Sequence, residues 1–381
     1  MEDLVVAQSG MARRRGHSAK RVLVTGADGY IGSVLTALLL ERGYDVDGLD
    51  TGYYRAGWLY HATGDRVRIF TRDIRDVSAD DLEGYEAVFH LAELSNDPLC
   101  QFDEKVTYDI NHRASVALAE NAKRAGVRRF IYASSCSVYG VVTDDEATES
   151  TPVNPQTAYA TCKVLVERDV SALASQDFAP TFLRNATAFG PSPRMRFDIV
   201  LNNLAGMAWT TGCLELTSDG TPWRPLVHVA DICGAMIAAF EAPLYAVANQ
   251  VFNVGADGQN YRVSDIVETV SKVFDVKYVS VGKKGGDNRS YRVSFGKIRK
   301  HLPAFECRHD VWAGARQLHS VFQRIGMTEA IFHAPPFIRL RQLHRLLETS
   351  QIDPLFYWKQ HDISGIAIGR GVLGDAGKAV G

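Results

Sequence analysis

The segment Thr25–Gly32 (TGADGYIG) constrains the fold of this chain more than any other part of its sequence. It follows the short apolar run 21–25 (RVLVT), which predicts a buried parallel strand. It leads into residues 30–42, where apolar side chains recur at helical spacing, and Gly43 then predicts the end of that helix. A glycine-rich turn between a strand and a helix allows a phosphate group to approach the backbone, where the first N–H groups of the helix can bind it. The segment therefore predicts a dinucleotide-binding loop.

Asp50 supports the same interpretation and indicates which dinucleotide is bound. The loop has the spacing GxxGxxG and not GxGxxG, so a second feature is needed. Asp50 ends the second predicted strand, 18 residues after Gly32, where a carboxylate can accept hydrogen bonds from the adenosine ribose. Because its negative charge would repel a 2′-phosphate, the sequence favours NAD over NADP as the cofactor. The predicted cofactor contacts are Gly26, Gly29, Tyr30, Ile31, Gly32, Asp50, Asp73, Ile74, Leu91 and Ala92, joined by Tyr159 and Lys163 discussed below. An alternative role for Asp73 is to cap a helix. The alternative for Ile74, Leu91 and Ala92 is that they pack in the core without contacting the cofactor.

Strands and helices alternate along the first half of the chain. Further apolar strands are predicted near 45–50, 67–70, 87–91 and 129–133, with helical segments between them. This alternation predicts βαβ units and a parallel sheet. The predicted fold class is therefore α/β, a Rossmann-like doubly wound parallel sheet with a smaller C-terminal substrate lobe. The predicted boundaries are a disordered extension at 1–19, the NAD-binding Rossmann domain at 20–190, a segment that is mainly substrate lobe at 191–312, and a helical C-terminal extension with a tail at 313–381.

The composition argues against several other classes of protein. The 42 Lys and Arg nearly balance the 44 Asp and Glu, so no broad basic surface for nucleic acid is expected. No apolar run approaches the ~20 residues that span a bilayer. The basic cluster 13–15 is not followed by the apolar run of a signal peptide. The six cysteines have neither CxxC nor zinc-ligand spacing, so we expect reduced thiols, no metal and a cytoplasmic protein. We also expect a homodimer.

Three residues are candidates for the chemistry of hydride transfer. Tyr159 and Lys163 lie four residues apart in a predicted helix, which places them on one face. Ser135 ends the fifth predicted strand. A tyrosine with a pKa near 10 is a poor base at neutral pH, and lowering it by ~3 units requires ~4 kcal/mol. The ammonium of Lys163 and a positively charged nicotinamide ring can provide this stabilisation. We predict that Tyr159 is the base and that Ser135 holds the substrate oxygen.

Five motifs together resemble the extended short-chain dehydrogenase/reductases of the NAD-dependent epimerase/dehydratase family, over residues 21–302. They are TGADGYIG, HLAELSNDP, YASSCSVYG, YATCK and WRPLVHVADI. The resemblance implies a Rossmann domain, a nucleotide-sugar substrate bound mainly by the 191–312 lobe, and Ser135, Tyr159 and Lys163 as the catalytic group. It also implies that Asn111 supports the active site. The implied substrate contacts are Asn203, Arg224, and Asp287 or Arg289.

Two departures from the family pattern bear on which reaction of the family is expected and how the substrate binds. Sugar 4,6-dehydratases of the family have an Asp-Glu pair after the strand-end hydroxyl residue, whereas this chain has Cys136–Ser137, which cannot supply that acid and base. Thr187 stands where many relatives have a phosphate-contacting Asn, and Arg194 and Arg196 are candidates to compensate. The first interpretation is an NAD-dependent nucleotide-sugar epimerase acting at C4 through a transient keto-sugar. The alternatives are an NAD(P)H-dependent nucleotide-4-ketosugar reductase and a non-catalytic dinucleotide-binding sensor.

Overall fold

The computed structural model describes residues 20–60, 67–142, 146–216, 219–280 and 290–359. The strands are β1 (Arg21–Thr25), β2 (Asp45–Asp50), β3 (Arg68–Thr71), β4 (Ala87–His90), β5 (Arg129–Ser135), β6 (Glu146–Ala147), β7 (Ala179–Asn185), β8 (Thr187–Phe189), β9 (Cys213–Leu216), β10 (Trp223–His228), β11 (Gln250–Val254), β12 (Asn260–Arg262), β13 (Lys277–Ser280) and β14 (Arg292–Val293). The helices are α1 (Gly32–Glu41), α2 (Asp97–Phe102), α3 (Glu104–Thr107), α4 (Ser115–Arg124), α5 (Ala158–Ser171), α6 (Val200–Thr211), α7 (Val229–Glu241), α8 (Leu244–Val247), α9 (Val263–Phe274), α10 (Gly296–His301), α11 (Val311–Ile325), α12 (Glu329–Phe332) and α13 (Arg339–Glu348).

A seven-stranded parallel sheet forms the centre, in the order β3-β2-β1-β4-β5-β7-β11. Successive side chains of β1 face opposite layers: Val22 and Val24 pack with α1 and α7, whereas Leu23 packs with α4 and α5. Because helices cover both faces, the strand is apolar throughout and does not alternate with polar residues. The strand order reverses between β1 and β4, and α/β sheets bind ligands at such a switch point. The predicted fold class is confirmed.

A smaller lobe adjoins the carboxyl ends of these strands. It contains a three-stranded sheet (β12-β10-β8) and a two-stranded sheet (β13-β9). Helices α6, α9 and α11 pack together around a core that includes Phe197, Leu204, Ile266, Leu318 and Phe322. The segment 191–312 also supplies β11 and α7 to the Rossmann sheet, so the chain passes between the two parts more than once.

The C-terminal helical segment packs against the cofactor half of the molecule. Leu343, Leu346 and Phe356 form one apolar cluster with Tyr53, which follows β2, and with Leu99 of α2. Residues after α12 therefore cover the loop next to Asp50. Across the described ranges, the helices are too short or too polar for any of them to cross a bilayer.

Candidate active site

A cleft of about 510 Å³ lies at the carboxyl ends of the central strands. Its wall includes all twelve residues predicted to contact the cofactor, and also Ser135, Thr187 and Arg224. These residues come from separate parts of the chain, and the parallel sheet brings them together because its strands all end at the same edge.

The glycine loop leaves room for a ligand only because it has no side chains. Gly26 has a φ of +71°, and a Cβ there would lie 2.9 Å from the backbone N of Ala92. A Cβ on Gly32 would lie 2.1 Å from the carbonyl oxygen of Gly26. Ile31, which precedes α1, offers no side-chain cap to the first N–H groups of the helix. The loop and helix start therefore fit a dinucleotide diphosphate, which those N–H groups can bind.

Asp50 lies at the end of β2, beside a buried ion pair. Its carboxylate accepts hydrogen bonds from the backbone N–H groups of Asp28 (3.1 Å) and Gly52 (2.7 Å). Burial and the neighbouring carboxylate of Asp28 raise the pKa of Asp50 to about 6. The Asp28 carboxylate in turn accepts a hydrogen bond from the Nε of Arg194 (2.7 Å). Arg194 is thus committed to the cofactor loop, while Arg196 lines the cleft.

Asp73 caps a helix and also lines the cleft, so its predicted contact with the cofactor stays a prediction. Its carboxylate accepts a hydrogen bond from the backbone N–H of Arg75 (2.9 Å) and pairs with the guanidinium of that residue (2.7 Å). It thereby caps the short 3₁₀ helix that starts at Ile74, and both residues still line the cleft.

Ser135, Tyr159 and Lys163 come together at the other end of the cleft. Helix α5 begins at Ala158 because the Thr157 hydroxyl accepts a hydrogen bond from the N–H of Ala160 (3.2 Å). The helix places the Lys163 Nζ 5.3 Å from the centre of the Tyr159 ring. Ser135 ends β5 and lines the same wall.

Glu93 is part of this group, although it is not among the site residues predicted from the sequence. Its side chain is 3% exposed and forms an ion pair with Lys163. It also accepts a hydrogen bond from the Tyr132 hydroxyl (2.5 Å). Lys163 donates in addition to the carbonyl oxygen of Ala133 (2.5 Å). An acidic residue three positions after the end of a buried strand, in HLAEL, was the signal that could have revealed it.

The charges of this group act on one another. Burial raises the pKa of Tyr159, Lys163 lowers it and Glu93 raises it, and the net direction is upward. Burial lowers the pKa of Lys163, but Glu93 and Tyr159 raise it more, so Lys163 stays protonated. Lys163 thus acts on the phenol in the predicted direction, but its effect is smaller than the opposing effects. A further positive charge in the cleft would favour the phenolate.

The residues implied to bind the substrate have different positions. Arg224 lines the cleft, and its Nη1 donates to the carbonyl oxygen of Trp223 (2.9 Å). Asn203 is not among the residues that form the cleft wall, and its side chain donates to the carbonyl oxygen of Phe197 (2.9 Å). Asp287 and Arg289 lie outside the described residues.

Asn111 supports the chain just beyond β4. Its side chain accepts a hydrogen bond from the N–H of Leu94 (2.8 Å) and donates to the carbonyl oxygen of Leu94 (2.8 Å). Asn111 is fully buried in the π-helical segment Tyr108–Ala114. It thereby fixes the backbone next to Glu93.

Comparisons with known proteins agree with this arrangement. The sequence profile of the NAD dependent epimerase/dehydratase family matches residues 22–255. The chain is similar to a UDP-glucose 4-epimerase of Lactobacillus helveticus, with 28% identity over 326 residues, covering 78% of this chain and 97% of the relative. It is 34% identical to a UDP-glucose 4-epimerase of Mycolicibacterium smegmatis over 251 residues, covering 62% and 77% of the two chains. The solved structure of MoeE5 in complex with UDP-glucuronic acid and NAD has a TM-score of 0.69 and 26% identity, covering 80% of this chain and 99% of that one.

The family profile covers more than half of the chain, including the glycine loop, Asp50 and the Ser135–Lys163 region. The prediction of an NAD-dependent enzyme is confirmed. The chain belongs to the NAD dependent epimerase/dehydratase family, within the extended short-chain dehydrogenase/reductases.

Proposed function

We propose that this enzyme is a nucleotide-sugar epimerase that inverts C4 of the sugar through a transient keto-sugar. The observation on which the proposal rests is that Ser135, Tyr159 and Lys163 share one cleft with the glycine loop and Asp50. The names of the relatives support it, since both of those described above are UDP-glucose 4-epimerases. The bound UDP-glucuronic acid and NAD of MoeE5 support the same pair of ligand classes.

Each residue of the catalytic group has a role that follows from its position. The glycine loop and Asp50 would hold NAD, which would supply a reversible acceptor for the hydride of the sugar carbon. Tyr159, as phenolate, takes the proton of the sugar hydroxyl and gives it back to the oxygen of the product. Ser135 binds the same oxygen by hydrogen bond, and Lys163 holds positive charge beside the phenol. Hydride and proton both return, so the reaction needs no external oxidant or reductant.

The residues after Ser135 support epimerisation over the elimination of water. The Cys136 thiol is buried, and it donates to the carbonyl oxygen of Arg184 (3.1 Å). Burial raises the pKa of Cys136 further above its ordinary value. A neutral thiol engaged in this way does not serve as an acid or a base for dehydration.

The experiment starts from the purified full chain. Mass spectrometry of the protein as isolated detects any retained dinucleotide, and a panel of nucleotide sugars is then incubated without added cofactor. Retained NAD with C4 epimerisation supports the proposal. A protein without dinucleotide that oxidises added NADPH or NADH with a 4-keto-sugar would instead identify the reductase.

Tyr159→Phe tests the assigned base. We expect turnover to fall by about 10²–10⁴-fold, with NAD binding retained because the ring and its packing remain. Tyr245→Phe is the matched control, since Tyr245 is 89% exposed. Near-normal turnover of Tyr159→Phe would exclude Tyr159 as the base.

The homodimer and the cytoplasmic location stay predictions. Light scattering of the purified protein checks whether it is a dimer.

A further inference from the structure

Two buried arginines, Arg196 and Arg339, line the same cleft. Arg196 lies between β8 and α6, Arg339 begins α13, and the two residues are 7% and 3% exposed. Asp198 joins them: its carboxylate accepts from the Nε of Arg196 (2.8 Å) and from the backbone N–H of Arg339 (3.2 Å). Asn96 donates to the same carboxylate (2.9 Å). The cluster is therefore built from three distant segments of the chain.

Each guanidinium has one buried nitrogen without an acceptor among the described residues. For Arg196 the Nη1 donates to the Ser95 hydroxyl (3.1 Å), and the Nη2 is unsatisfied. For Arg339 the Nη1 donates to the carbonyl oxygen of Pro336 (2.9 Å), and the Nη2 is unsatisfied. The buried hydroxyl of Tyr54, whose ring lies under the Arg339 guanidinium at 4.0 Å, also has no partner in this part of the chain. Buried polar groups are normally satisfied, so two charged donors and a hydroxyl without partners indicate a ligand that accepts hydrogen bonds.

The charge of the cluster indicates that this ligand is an anion. The Asp198 carboxylate hydrogen-bonds to the guanidinium of Arg196 but only to the backbone N–H of Arg339. Among the described residues, no carboxylate is therefore hydrogen-bonded to the guanidinium of Arg339. Burial and the charge of Arg196 lower the pKa of Arg339 to about 10. Guanidinium groups form charge-assisted hydrogen bonds to phosphate oxygens, and each of these two arginines has one unsatisfied nitrogen that can donate to such a group.

The cluster lies between the two ends of the cleft. Tyr54 belongs to the loop that starts at Asp50, where the adenosine ribose is expected. Ser95 belongs to the loop after β4, two residues beyond Glu93, which holds Lys163. A dinucleotide that spans from Asp50 to Tyr159 has its diphosphate between these ends, at the glycine loop, so the arginines would add to the contacts of that loop. A nucleotide sugar whose sugar reaches Tyr159 also has a diphosphate next to the sugar.

The C-terminal segment 335–359 holds Arg339 firmly in this position. The Trp358 Nε1 donates to the carbonyl oxygen of Thr51 (2.7 Å), and the Gln342 amide donates to that of Tyr53 (2.9 Å). The Tyr53 hydroxyl in turn donates to the carbonyl oxygen of Phe356. The segment is thus fixed to the residues directly after Asp50, although it lies beyond residue 255, where the family match ends.

We propose that Arg196 and Arg339 bind a diphosphate group. The segment 335–359 then contributes to ligand binding, because it supplies the second arginine. The ligands considered, the dinucleotide and the nucleotide sugar, rest on the proposed function. The binding of the diphosphate itself does not depend on turnover.

Arg339→Gln tests the proposal by titration calorimetry on the full chain freed of bound nucleotide. The probes are ADP-ribose and adenosine for the cofactor, and UDP and uridine for the substrate. We expect the affinity for ADP-ribose or for UDP to fall about tenfold or more, with adenosine and uridine little changed. Arg341→Gln is the matched control, because Arg341 is exposed on the same helix. Arg339→Lys keeps the positive charge but not the planar guanidinium group. Its loss of affinity for ADP-ribose or UDP should therefore be smaller than that of Arg339→Gln.

Each outcome decides the question. A loss confined to ADP-ribose assigns the pair to the cofactor, a loss confined to UDP assigns it to the substrate, and both support a diphosphate site. The proposal of a diphosphate site would be overturned by unchanged affinities for all probes. It would also be overturned if the affinities for adenosine and uridine fell as much as those for ADP-ribose and UDP. If circular dichroism shows that Arg339→Gln does not fold, Arg339→Lys and Arg196→Lys replace it with the same probes. Because these assays measure binding alone, their failure is distinct from a failure of the Tyr159→Phe test.

Discussion

Replacement of Gly32 by alanine should damage the cofactor loop, although alanine is the better helix former. Gly32 is the first residue of α1, where alanine would gain at most ~1 kcal/mol in helix propensity. Its Cβ, however, would lie 2.1 Å from the carbonyl oxygen of Gly26 and 2.8 Å from the Cα of Ala27. Both atoms are backbone, so the loop itself must move, and forced overpacking costs ~1–3 kcal/mol. We expect the free energy of unfolding to fall by about 1–2 kcal/mol, and NAD binding to weaken because the loop N–H groups shift.

Gly234→Ala is the matched control for this substitution. Gly234 also lies in a helix, α7, but the nearest atom to its Cβ would be the Cδ2 of Phe305 at 4.0 Å. This variant should gain ~0.5–1 kcal/mol and bind NAD normally. Urea unfolding of the protein without cofactor and calorimetric titration with NAD measure the two quantities. If Gly32→Ala has the same free energy of unfolding and the same NAD affinity as the parent protein, the backbone of Gly26 and Ala27 does not exclude a side chain at position 32. That result would refute the prediction.

Two further predictions concern pH. Asp50, with a pKa raised to about 6 by burial and by Asp28, gains a proton as the pH falls from 7 to 5. NAD affinity should therefore drop over this range. Asp50→Asn should bind NAD weakly at both pH values, and calorimetry showing the same slope in this variant would remove Asp50 from the site. Glu93 raises the pKa of both Tyr159 and Lys163, so Glu93→Gln should move the rising limb of kcat/KM to lower pH. An unchanged pH profile would mean that Glu93 has only a structural role.

The parts of the site that could be predicted are those with a local pattern. The turn between β1 and α1 needs glycines within eight residues, and Tyr159 and Lys163 share a face because they are one helical turn apart. Asp50 was found because it ends a strand at a fixed distance from that turn. In each of these cases the sequence spacing alone determines the geometry.

The parts that could not be predicted depend on contacts between distant segments. Glu93 is 70 positions from Lys163 and Arg339 is 141 from Asp198, and no spacing rule links either pair. Arg194 and Arg196 looked equivalent in sequence. The first is used by Asp28 of the cofactor loop, and only the second has a nitrogen left for a ligand.

The charges along the cleft separate ligand binding from catalysis. At one end Asp50 provides a carboxylate suited to ribose hydroxyls and unsuited to an added phosphate. At the other end Glu93 neutralises Lys163, so this ammonium is a poor site for a phosphate while its charge still acts on the phenol of Tyr159. The excess positive charge lies between them, on Arg196 and Arg339. We therefore expect an anionic ligand to bind in the middle of the cleft, which would leave the proposed catalytic group free for an uncharged sugar hydroxyl.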